Sequence, residues 1–241
     1  MAKASKWRRM GWLAGCLLLL QGAPAAASSA RPPVQPAMPY ADVLIDAGHG
    51  GIDGGTTYGD ILEKQINLQI AERVYQLLRK KGISAALDRT GDYALSDDNR
   101  WMRSRSRHLR DLAQRKHVAD SLRPVVLVSL HVNWSKHADE SGPLVLHQGN
   151  YNSVVFARVI QSSLNELYGS AEQPRSGKTF YLLKHAPCTA IIVEMGFISN
   201  RDDRKRLTTA HGQKEIAGAI ATGIHHYLHL RATSPDGVSY P

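Results

Sequence analysis

A chain of 241 residues, 43% hydrophobic and 21% charged, holds too much apolar material to stay disordered and too many interspersed charges for a multi-pass membrane protein. Its net charge is +9, or +5 once the first thirty residues are set aside, and that modest positive charge suits an anionic wall or membrane surface. With only two cysteines, Cys16 and Cys188, a disulfide-stapled scaffold is excluded, and stability has to come from core packing.

The first thirty residues read as an export signal. Lys3, Lys6, Arg8 and Arg9 precede an apolar run from Met10 to Leu20, and small residues follow at Ala25 to Ala30; this is the layout of a secretory signal peptide. The run is short for a bilayer span, so residues 1–30 are expected to be a cleaved signal or an N-terminal anchor, and the protein to be exported and extracytoplasmic. Without them the net charge falls to +5 and Cys188 stands alone. Pro32, Pro33, Pro36 and Pro39 make 31–40 an extended linker. A domain over 41–230 follows, long enough for one buried core, and 231–241 reads as a polar, flexible tail.

Within the domain, Val43-Leu44-Ile45 predicts a buried strand, and Ile66, Ile70, Val74 and Leu77/Leu78 predict a helix that stops at Gly82. A strand at Ile83–Leu87, a helix at Leu109–Ala119 and a strongly apolar strand at 125–130 come next. Further strands are expected at Leu144–His147 and Phe180–Leu183, with a helix through Val155, Val159 and Leu164 between them. A strand at Thr189–Val193 and a last helix through Ile216, Ile220, Ile224 and Tyr227 complete the order. Such alternation predicts an α/β fold: a single-domain three-layer sandwich with a mostly parallel central sheet flanked by helices.

In open α/β sheets, reactive groups collect in loops beyond the carboxyl ends of the strands. Three apolar strands here run straight into polar residues: Asp46-Ala-Gly-His49-Gly-Gly, His131-Val-Asn133 and Glu194-Met-Gly-Phe-Ile-Ser-Asn200. The first loop is glycine-rich but fits neither the dinucleotide pattern nor the P-loop. Glu63 stands at the start of the first helix, where the helix dipole favours a carboxylate. Taken alone, Glu63 is also an ordinary helix-start charge and His131 a histidine kept in place by packing. Together, His49, Glu63 and His131 make the three-donor set of a catalytic zinc site with one position open. Amide hydrolysis also needs a proton carrier, and Glu194, following a buried strand, is the candidate.

These blocks resemble the zinc-dependent N-acetylmuramoyl-L-alanine amidases, and the resemblance spans about 42 to 230. It implies Zn2+ as cofactor, held by His49, Glu63 and His131, with Glu194 as catalytic acid/base. The implied substrate is peptidoglycan, cut at the amide between N-acetylmuramic acid and L-alanine. Asn133, Arg115 and Asn200 are candidate substrate contacts.

Residues 91–108, with Trp101 and Arg100, Arg103, Arg105 and Arg107, are longer than the corresponding connection in many family members; they read as a solvated loop or as a rim for an anionic glycan or a partner protein. The compact domain behind an export signal looks most like the sporulation and germination-specific branch, which helps to form muramic δ-lactam in spore cortex. A vegetative wall autolysin, a wall peptidase and a non-catalytic peptidoglycan-binding module are the competing readings. A catalytic domain without a recognition module leaves room for an activating protein partner. An exported domain meets little nucleic acid, and no aromatic stacking platform accompanies the arginines.

Overall fold

The computed structural model describes residues 40–233. The expected signal segment, the linker up to residue 39 and the tail from 234 onward lie outside the described residues.

The first strand, β1 (Val43–Ala47), is followed by a glycine-rich loop and a small antiparallel hairpin, β2 (Thr57–Tyr58) and β3 (Ile61–Leu62). Helix α1 (Glu63–Lys80) starts directly from that hairpin. Then come β4 (Ala85–Leu87), a 3-10 turn at Leu95–Asp97 and α2 (Arg107–Leu122). The second half contains β5 (Val126–Asn133), β6 (Leu144–His147), α3 (Tyr151–Tyr168), β7 (Arg175–Ser176) and α4 (Tyr181–His185). It ends with β8 (Thr189–Phe197), α5 (Arg201–Thr208) and α6 (Ala210–Thr233).

One six-stranded sheet runs in the order β4-β1-β5-β8-β6-β7. β4, β1, β5 and β8 are parallel, and β6 lies antiparallel against β8. Successive strand residues face opposite sides, so each central strand supplies two cores. Val43, Ile45, Val126, Val128, Ile191 and Val193 pack toward α1, α3 and α6, while Leu44, Leu127, Ala190 and Ile192 pack toward α2 and α4. Because both faces are covered, the strands read as unbroken apolar runs. The three-layer α/β sandwich expected from the alternation is therefore present.

Several boundaries differ from the sequence reading. Phe180–Leu183 is not a strand: the chain forms the short helix α4 there, with Leu182 and Leu183 both buried. Adjacent residues that both point inward suit a helix face and not a pleated strand, and Pro187 then prevents continuation. β5 and β8 extend beyond 130 and 193, so His131 and Glu194 lie inside strands, not in the loops after them. The last helix continues to Thr233, past the expected start of the tail. Among the described residues no helix is long and apolar enough to cross a membrane.

Candidate metal centre

The carboxyl ends of β1, β5 and β8 meet at one edge of the sheet. Parallel registration places Asp46 beside Ser129 and His131 beside Glu194. The hairpin delivers α1 so that its first residue, Glu63, faces the same edge.

Glu63 is almost enclosed, and its carboxylate is the hub of the site. Oε1 lies 3.2 Å from His49 Nε2 and 3.0 Å from His131 Nδ1. The same oxygen accepts from the Val132 amide at 3.0 Å and from Asn67 Nδ2 at 3.2 Å. Oε2 accepts from the Thr56 amide at 2.8 Å. Burial works against the charge on Glu63, but both imidazoles outweigh it and hold the carboxyl well below its ordinary range. Burial likewise opposes protonation of His131, yet the Glu63 hydrogen bond and charge raise its pKa to about 9. The potential that draws a proton there draws a divalent cation equally, since the two compete for the same lone pairs.

One donor atom from each of His49, Glu63 and His131 lies within 4.8 Å of the others. Two imidazoles and a carboxylate suit zinc among the biological cations. His49 Nδ1 sits 3.1 Å from Asp53 Oδ1, the carboxylate–histidine pairing that fixes ring orientation around metals. The backbone has been cleared for the rings. A Cβ on Gly48 would stand 2.3 Å from His131 Cε1, and one on Gly55 would stand 2.5 Å from Glu63 Oε2. The residues present therefore fit a metal ion. Gly48→Ala is expected to push the His131 ring aside and weaken metal affinity about 10- to 100-fold, the range seen when the support of a ligand is lost; competition with a chromogenic chelator measures it.

His49 itself adopts φ 62°, a left-handed conformation unusual for a non-glycine residue. Arg115 holds it there. Its Nη2 donates to the His49 carbonyl at 2.8 Å, and Nη1 donates to the Ala47 carbonyl at 3.0 Å. The same guanidinium pairs with Asp46 at 2.6 Å, Asp88 at 3.0 Å and Asp111 at 2.7 Å. Arg89 adds bonds to the Ala47 and Gly48 carbonyls at 2.8 and 3.0 Å. Burial opposes ionisation of Asp46, but Arg115 keeps its carboxyl well below the usual range. Burial and the charge of Asp46 push Asp88 well above it, against the pull of Arg115 and the Ala47 amide. Ser129 also donates its hydroxyl to Asp46. Removing the cation from this enclosed network, as in Arg115→Met, is expected to cost about 3–5 kcal/mol of unfolding free energy, read as a shifted urea midpoint.

Arg115 is thus a positioning residue, in contrast to the expected substrate contact. Asn200 is also committed within the fold: Oδ1 caps α5 by accepting from the Asp202 and Asp203 amides at 3.0 and 3.1 Å, and Nδ2 donates to Ala138. Asn133 Oδ1 accepts from the Trp134 amide at 2.8 Å, leaving its amide nitrogen without a partner among the described residues. Glu194 stands on the strand next to His131. Burial pushes its carboxyl up, while His131 and His49 pull the other way. A cleft of about 330 Å³ opens beside the cluster, and its lining combines Asp46, His49, Asp53 and His131 with the apolar Phe180, Leu182 and Ile192.

This fold and site define an α/β protein with a three-donor metal-competent centre at the carboxyl edge of its sheet. The family model for N-acetylmuramoyl-L-alanine amidase matches residues 43–226. The chain is 32% identical to YqiI of Bacillus subtilis (strain 168) over 224 residues, covering 91% of this chain and 98% of that protein. It is 28% identical to the germination-specific N-acetylmuramoyl-L-alanine amidase of the same organism over 196 residues, covering 80% and 82% of the two chains. Among solved structures, the CwlD amidase of Clostridioides difficile in complex with the GerS lipoprotein superposes with a TM-score of 0.73 at 28% identity, covering 79% of this chain and 99% of that one. The chain belongs to the N-acetylmuramoyl-L-alanine amidase family and is a peptidoglycan amidase of that class.

Proposed function

We propose that this amidase is zinc-dependent, with His49, Glu63 and His131 holding the ion and Glu194 carrying the proton. The observation that supports this most is the convergence of those three donor atoms within 4.8 Å. A bound zinc ion supplies a Lewis acid and brings the pKa of water near 7. Asp53 and Glu63 keep the His49 ring oriented, and Arg115 keeps its backbone in place. Glu194 takes the proton of the attacking water and returns it to the departing nitrogen, so that the lactyl carbonyl gains the hydroxyl and L-alanine leaves as a free amine. Phe180, Leu182 and Ile192, apolar residues lining the same cleft, limit the access of competing water to the reacting amide.

The biological setting we infer is extracytoplasmic, in spore cortex maturation, where cleavage at this amide precedes muramic δ-lactam formation. Similarity to germination-specific and sporulation-specific amidases of Bacillus subtilis supports it. The similar CwlD amidase was solved with a lipoprotein bound, which supports a protein partner here as well. Digestion of purified cortex and of vegetative wall by the full-length protein, followed by mass spectrometry, tests the reading. It predicts free L-alanine amino termini with intact lactyl groups, and cortex cut in preference. Cleavage within stem peptides instead would replace this reading with a peptidase.

A further inference from the structure

Residues 99–110 contain five arginines and no aspartate or glutamate. Arg100, Arg103 and Arg105 are exposed, and Arg107 and Arg110 are half-buried. Arg110 Nη1 donates to the Ser104 carbonyl at 2.6 Å. The other four guanidinium groups have no hydrogen bond or ion pair among the described residues, and Nη1 of Arg107 is buried without a partner.

The segment is held firmly. Asn99 Nδ2 donates to the Arg110 carbonyl at 2.8 Å, the Met102 amide donates to Asn99 Oδ1 at 3.0 Å, and Ser106 caps α2 through the Leu109 amide at 3.1 Å. These bonds fasten the arginines to the start of α2, a helix that lines the cleft with His108 in its first turn and Asp111 in its second. Arg107 also lies near enough to Asp53 for its charge to favour that carboxylate. The first turn of α2 contains no acidic residue, although the dipole there favours negative charge. Positive charge is therefore concentrated at one rim of the cleft, with Arg107 near Asp53 but Arg100, Arg103 and Arg105 in no ion pair among the described residues, and a bound anion relieves its self-repulsion.

We propose that this strip is an acidic-peptide subsite, taking the carboxylates of the stem peptide that leads away from the scissile amide. Guanidinium groups suit carboxylates because their paired donors match the two oxygens. The strip adjoins the cleft, which favours the substrate's own carboxylates over phosphates of a wall polymer. This subsite rests on the amidase reading.

Binding to full-length Glu194→Gln protein tests it without turnover. Calorimetry is run with a soluble muramyl peptide bearing free stem carboxylates, the same peptide with those groups amidated, and a short polyol-phosphate oligomer. The double substitution Arg103→Gln and Arg105→Gln is expected to weaken free-acid binding roughly 5-fold, as suits two exposed charge pairs, with the effect fading at high salt. Binding of the amidated peptide should not change. Equal loss on both peptides, or none on the free acid, overturns the subsite. Preferential binding of the phosphate oligomer, lost in the double variant, overturns the stem-peptide assignment. Release of L-alanine amino termini by the parent enzyme from the same peptide checks the amidase reading separately.

Discussion

Glu194→Gln is expected to lower kcat by about 10³-fold, within the usual contribution of a positioned acid/base, while metal content and the urea midpoint stay as in the parent. Glutamine keeps the shape of the side chain beside His131 on the neighbouring strand but cannot take up a proton. The fold should tolerate the change, because burial already disfavours the ionised form of Glu194. KM on a soluble muramyl peptide should move little, since the loss falls on the chemical step. A variant that retains more than about a tenth of the parental kcat would remove Glu194 from the proton-transfer role.

The second large effect is expected from the hub of the site. Glu63→Ala removes the group that meets both imidazoles and that accepts from the Thr56 and Val132 amides. It should abolish stoichiometric metal binding and bring activity to background. Chelation of the parent enzyme should do the same reversibly, with activity returning on addition of zinc. The variant also leaves the Thr56 and Val132 amides unpaired, at a cost of about 1–3 kcal/mol each where water is shut out. A lowered thermal midpoint should therefore accompany the loss of metal. Full activity in the presence of excess chelator, with the metal shown to be absent, would contradict a metal-dependent reaction.

Much of this was legible in the sequence because the physics is local. Val43-Leu44-Ile45 and 125–130 are apolar on both faces, so they read as central strands, and the polar residues that follow them mark the reactive edge. The donor set His49, Glu63 and His131 was found from that pattern. Asp53 was missed although it stands four residues after His49, a spacing that carries no strong signal in a loop. Arg115 was misplaced for a different reason. Its partners Asp46 and Asp88 lie 69 and 27 residues away, and only the folded sheet shows that its guanidinium is enclosed among carboxylates. Phe180–Leu183 was misread because a four-residue apolar run has no period to separate helix from strand. The arginines of residues 91–108 were legible as a basic rim, but their fastening to α2 depends on side-chain bonds such as Asn99 to Arg110.

Crystals of zinc-loaded protein, measured on both sides of the zinc absorption edge, test the central claim most directly. One anomalous peak per chain among His49 Nε2, Glu63 and His131 Nδ1 is the predicted result. Zinc bound at full stoichiometry elsewhere in the chain would contradict it.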